Sequence, residues 1–113
     1  MNKQQRINEA LRLLDSSYRI TYYDPRINVH NDWRHELAKV KLIYEYKKEG
    51  KKVLAEAIFN NGGRGDIFIP EDFMIIEVLH SETMEEALSK KDYYPSECDI
   101  KFITSGEILD GVL

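Results

Sequence analysis

Two tight-turn signals, Asn60-Asn61-Gly62-Gly63 and Pro70-Glu71-Asp72, punctuate three short apolar and β-branched runs at 53–59, 66–69 and 73–79. Asparagine and glycine tolerate positive φ and proline presets a turn, so successive runs fold back as antiparallel hairpins. Beyond them, Ser81 can cap a helix from 82 to about 92 with Met84, Ala87 and Leu88 inward, closed by Tyr93-Tyr94-Pro95. A fourth strand-like run covers 99–104, and the tail from Ser105 has room for one helical turn. A helix between the third and fourth strands is a crossover, which makes that strand pair parallel.

Upstream, Asn31 or Asp32 caps a helix that ends in Lys47-Lys48-Glu49-Gly50. Its Trp33, Leu37, Val40 and Tyr44 fall at i, i+4, i+7 and i+11, and this stripe is expected to face the core. Earlier still, Ile7, Ala10, Leu11 and Leu14 mark an amphipathic helix, Tyr18 to Tyr23 reads as a short edge strand, and Asp24-Pro25 turns the chain. The fold class expected is α/β: an αβββαβ core with a central mixed sheet flanked by helices, plus an N-terminal accessory helix. Residues 1–30 are the accessory helix and connection, packed on a core of 31–113 in a single folding unit.

At 113 residues the chain supports one hydrophobic core, and at 42% hydrophobic it has enough apolar surface to fill it. Sixteen Lys and Arg against twenty Asp and Glu leave a net charge of −4, which excludes a strongly basic coat protein but leaves room for a local basic face. No apolar run approaches the ~20 residues that span a bilayer, and the first ten residues carry no apolar signal region. A lone Cys98 excludes an internal disulfide or a multi-thiolate zinc site. An intracellular, cytoplasmic protein with no membrane partner is expected, in the host cytoplasm if the source is viral.

The second turn carries most of the functional case. If its loop is Glu71 and Asp72 alone, Phe68 faces Ile75 and Asp66 faces Glu77, with Cβ atoms ~4.5–5.5 Å apart. Two carboxylates that close repel unless a proton or cation lies between them, and Glu77 sits in an apolar run where an isolated charge is costly. Mg²⁺ or Mn²⁺ resolves both problems, since hard cations take carboxylate and carbonyl oxygens. The competing arrangement is a solvated glutamate, or one paired with Arg64; a three-residue loop would break the pairing altogether. Glu56 depends on the first turn: an Asn61-Gly62 turn points it away from the pair, and a three-residue turn brings it on.

This order, with an Asp at the start of the second strand and a Glu within the third, resembles the core of the PD-(D/E)XK nuclease superfamily, the restriction-endonuclease-like fold. The segment Ala55-Glu56-Ala57-Ile58-Phe59-Asn60-Asn61-Gly62-Gly63-Arg64-Gly65-Asp66-Ile67 is similar to small archaeal or archaeal-virus members, and Ile76-Glu77-Val78-Leu79-His80-Ser81-Glu82 to their third strand and next helix start. The resemblance covers residues 31–104. It implies that Asp66, Glu77 and the Val78 carbonyl hold the metal, with Glu36 as an additional catalytic acid. The superfamily's lysine position is Leu79 here, so its role would fall to Lys90, Lys91 or Lys101, or to Glu82.

The function expected is a divalent-metal-dependent nuclease acting on DNA, with RNA as the alternative substrate. The competing reading is an inactive nuclease-fold protein serving as a nucleic-acid-binding or assembly module. Arg64 could contact a phosphate, and Lys51 and Lys52 belong to a basic cluster with Lys39, Lys41, Lys47 and Lys48 that either follows a nucleic-acid backbone or is a solvated helix face. Cleaving a duplex favours a homodimer, because a domain this small offers one site per chain. His30, His35 and His80 read as solvated or packed histidines rather than ligands.

Overall fold

The computed structural model describes residues 1–111, and the Lys91 side chain lies outside the described residues. The chain is mixed α/β. Helix α1 spans Lys3–Leu11, α2 Trp33–Lys48, α3 Met84–Leu88 and α4 Ser105–Leu109; strands β1 Leu54–Ile58, β2 Arg64–Ile69, β3 Met74–Leu79 and β4 Asp99–Thr104 form one sheet. The sheet order is β1-β2-β3-β4, antiparallel across the first two pairs and parallel between β3 and β4, as the crossover demands.

Each face of the sheet has its own core. Ala38, Leu42 and Ile43 of α2 and Ile108 of α4 pack with Ala55, Ile67, Ile76 and Val78 on one face. Ala10 of α1, with Leu14 and Tyr18 beyond it, packs with Leu54, Ala57, Phe68 and Ile75 on the other. Ala55 and Ala57, two apart on β1, thus lie on opposite faces, a break in alternation that coincides with Glu56 in the left-handed region (φ 51°). Phe68 pairs with Ile75 and Ile69 with Met74, the register the short second loop predicts. That loop is a one-turn 3₁₀ helix, Pro70–Asp72, closed by Phe73 at φ 47°.

Three expectations are corrected. The stripe Trp33, Leu37, Val40 and Tyr44 does not face the core: Trp33 is 66% and Tyr44 60% exposed. The buried face of α2 carries Ala38, Leu42 and Ile43 together with Glu36 and Lys39, because these two charges find partners inside. Tyr18–Tyr23 is not a strand, since Tyr23 adopts a positive φ and the segment is tied by separate bonds, Tyr18 Oη to the Ala55 carbonyl (2.6 Å) and Tyr23 N–H to the Val53 carbonyl (2.9 Å). The third helix is shorter than predicted and is capped by Thr83, not Ser81; Met84 and Leu88 are exposed and only Ala87 is buried.

Candidate functional site

Glu56, Asp66 and Glu77 fall level across β1, β2 and β3, between the Ala57↔Gly65 and Ala55↔Ile67 pairs on one side and next to the Ile67↔Ile76 pair on the other. At that row the β2–β3 ladder opens and side chains replace backbone acceptors. The Asp66 N–H donates to Glu77 Oε1 (3.0 Å), and the Val78 N–H donates to Asp66 Oδ2 (2.8 Å). This exchange keeps the buried amides satisfied while drawing two carboxyls together. Gly65 permits it, since a Cβ there would stand 2.8 Å from the Ile75 side chain and 3.6 Å from Glu77 Oε1.

The electrostatic consequence is large. Burial first, and the neighbouring Asp66 charge second, push Glu77 up to about 9, and its carboxyl shares a hydrogen bond with that of Asp66. At neutral pH the pair therefore holds one proton. Burial and then the Glu77 and Asp66 charges also push the Tyr94 hydroxyl up.

Helix α2 closes the other side. His35 Nε2 lies 3.3 Å from Asp66 Oδ2 and its Nδ1 2.7 Å from Glu36 Oε2. The Asp66 hydrogen bond is the main reason His35 rises to about 9, against the opposing effect of burial, so the ring is an imidazolium at neutral pH. Lys39, 0% exposed, sets its ammonium 2.9 Å from Glu36 Oε1 and 2.6 Å from Glu56 Oε1 and donates a third bond to the Arg26 carbonyl. Burial alone would lower its pKa, but these two carboxylates outweigh it and the result is raised. Burial would likewise raise Glu36, yet hydrogen bonds from Lys39, the Asn28 N–H, His35 and Asn31 hold it at about 2. The first turn thus takes the register that brings Glu56 onto the row, linked to Asp66 through Lys39, Glu36 and His35.

Other candidates lie elsewhere. Arg64 begins β2 and is exposed. Lys51 and Lys52 precede β1, with Lys51 ion-paired to Asp72 and Lys52 over the Tyr22 ring at 4.7 Å. Lys90 is exposed, 3.9 Å from Glu82, and Lys101 is exposed on the edge strand β4. Val78 reaches the site through its N–H. His80 bonds Ser105 and Asp32, His30 is exposed, and burial pushes the Cys98 thiol up to about 11. An opening of about 190 Å³ lined by Asn31, Asp32, His35, His80, Ser81 and Glu82 leads to the His35 side of the cluster.

Sequence reasoning set His35 aside as a packed or solvated histidine, placed Lys39 in a surface basic cluster, and gave Tyr94 no part in the site. The available signal was the i, i+3 spacing of Glu36 and Lys39 beside Ala38 and Leu42, which puts an ion pair on an apolar face. Among the described residues, no group of three or more His, Cys, Asp or Glu side chains is arranged to hold a metal ion. The chain matches no protein-family model, no curated protein and no solved structure.

Proposed function

We propose that this chain is a divalent-metal-dependent nuclease acting on DNA, built on a restriction-endonuclease-like core. The observation that carries the reading is the Asp66–Glu77 pair: two carboxyls drawn together across adjacent strands, kept compatible by a proton that a cation can replace. Two hard oxygen donors suit Mg²⁺ or Mn²⁺. Mg²⁺ commonly binds through one or two carboxylates, with water and substrate phosphate completing its shell, so a third side-chain ligand is not required. A cation there would neutralise phosphate charge and make water a better nucleophile.

The protein's own groups then have definite roles. Glu77 must lose its proton for the pair to act as a ligand, and His35 must lose its proton or turn away from Asp66. Glu36 already accepts from Asn28, Asn31, His35 and Lys39, so it serves as a positioning residue for His35 and Lys39. Lys39 is the buried ammonium nearest in role to the lysine that Leu79 replaces, held at the site by Glu36 and Glu56.

A second reading, an inactive nuclease-fold binding module, is favoured by one observation: His35 and Lys39 already offset the cluster's negative charge without a metal. The test is cleavage of labelled single- and double-stranded DNA with Mg²⁺ or Mn²⁺, alongside Mn²⁺ calorimetry, with Asp66→Ala as control. Metal-dependent cleavage lost in the control supports the nuclease. Full binding of Mn²⁺ by Asp66→Ala, or no cleavage and no Mn²⁺ binding by the parent, overturns it.

A further inference from the structure

The outward stripe of α2 is the most unusual surface of the molecule. Trp33 and Tyr44 stand exposed eleven residues apart, ~16 Å along the helix, with Leu37 and Val40 between them. A hollow of about 450 Å³ runs beside Ile27, Val29, Trp33, Leu37 and Val40, and a second of about 190 Å³ joins Val40 and Tyr44 to Tyr23 and Lys47. Tyr22 continues the patch, its ring 6.2 Å from that of Tyr23.

Cations thread this aromatic surface. Arg34 lies 5.7 Å from the Trp33 ring, Lys48 5.1 Å from Tyr44, Lys47 4.6 Å from Tyr23 and Lys52 4.7 Å from Tyr22. Residues 18–52 hold nine Lys and Arg against five Asp and Glu, a surplus of four cations in a chain whose net charge is −4. Of these, Lys39 is buried against Glu36 and Glu56, and Lys51, Lys48 and Arg34 pair with Asp72, Glu45 and Asp110, so among the described residues Lys47 and Lys52 are the cations that meet these rings without a carboxylate partner.

We propose that this face binds a single-stranded polynucleotide, stacking bases on Trp33 and Tyr44 and meeting the phosphates with Lys47, Lys48 and Lys52. Exposed rings accept any base, and the interleaved lysines follow the backbone. A second copy packed on the same face about a two-fold axis fits less well, because it would set Arg34, Lys47 and Lys48 against their own counterparts, whereas a polynucleotide complements both rings and cations. The inference rests on the nuclease reading for why a strand comes here, but binding at this face needs neither the metal nor the carboxyl pair.

Trp33 is the only tryptophan in the chain, so its fluorescence reports on this face alone. The experiment titrates the protein with an oligothymidylate in EDTA, at two salt concentrations, with circular dichroism to show that each variant is folded. Expected are quenching of Trp33, affinity that falls steeply with salt, and about tenfold or greater weakening by Tyr44→Ala. Lys47→Glu with Lys48→Glu should weaken binding further and flatten the salt dependence, while Asp66→Ala should bind as the parent does. The inference is overturned by absent quenching, by undiminished affinity in Tyr44→Ala, by a preference for duplex, or by a concentration-dependent dimer that buries Trp33. Binding at this face in EDTA, together with neither cleavage nor Mn²⁺ binding in the metal assays, would reject the nuclease reading and leave this one standing.

Discussion

Glu77→Gln should make the metal-free protein more stable, by an amount that grows with pH. The amide copies the protonated carboxyl: its oxygen can accept the Asp66 N–H, and its NH₂ can donate to the Asp66 carboxylate. Burial, then the Asp66 charge, raise Glu77 from 4.5 to about 9, so between those values the folded protein holds a proton that the unfolded chain releases. Stability therefore falls as pH rises through that window. Keeping the proton at pH 7 costs at most about 3 kcal/mol, and because Asp66 shares it, a gain of about 1–3 kcal/mol is expected in the variant. For a domain of this size that is an increase in Tm of roughly 3–10 °C. Thermal unfolding in EDTA at about pH 5, pH 7 and pH 8.5 reads it directly: near equality at the lowest value and a widening difference above. A constant difference across that range, or a less stable variant at about pH 8.5, would refute the claim that Glu77 is held protonated. Adding Mn²⁺ should stabilise the parent and not the variant.

His35 adds to the same slope, since its stabilisation is complete below its ordinary value of 6.5 and is lost as pH rises through about 9, whereas that of Glu36 is lost only as pH falls from 4.5 through about 2. Urea unfolding without metal should therefore give a maximum near pH 4.5, where the Glu36 gain is complete and the Glu77 loss begins, and a maximum above pH 8 would contradict the assignment. Mn²⁺ affinity should rise with pH by close to two protons per ion between about pH 7 and 9 in the parent and by about one in His35→Gln, measured by calorimetry in buffers of different ionisation enthalpy. Lys39→Met should cost about 3–5 kcal/mol, because it strands Glu36 and Glu56 near the core, and a nearly neutral result in denaturant titration would show the ion pairs to be dispensable. Leu42→Ala should cost about 2–5 kcal/mol and Leu37→Ala less than 1, an order that reverses if the outer stripe of α2 faces inward.

The sheet was legible because its signals are local. Pro70-Glu71-Asp72 sets the β2–β3 register within three residues, and once Phe68 faces Ile75 the level placement of Asp66 and Glu77 follows from strand geometry. Helix α2 was not legible, because its sequence carries two apolar stripes. One has the larger residues, Trp33, Leu37 and Tyr44; the other has Ala38, Leu42 and Ile43 flanked by charges that local reasoning assigns to water. What reverses the choice is remote in sequence: Glu56 and the Asn28 N–H supply partners that make burying Lys39 and Glu36 acceptable. Glu56 itself stayed open until the length of the first turn was known, since one residue more or less moves it on or off the row.

These features converge on a single constraint. Glu36 of α2 joins Glu56, Asp66 and Glu77 at one row of the sheet, four carboxyls in all, and His35 and Lys39 bring two cations; a proton on Glu77 reduces the excess negative charge to one. The cluster can therefore fold without a ligand. Removing the protons on Glu77 and His35 would leave an excess of three negative charges, which a divalent cation and a buried ammonium answer better than water can at this depth. Leu79 is consistent with that arrangement, because it is buried with Ile75 and Val78 in an apolar strand while the ammonium enters from α2, where both Glu36 and Glu56 can hold it. The same helix thus sends Glu36 and Lys39 inward to the carboxyls and leaves its aromatic stripe outside, one element carrying buried charges on one face and exposed rings on the other.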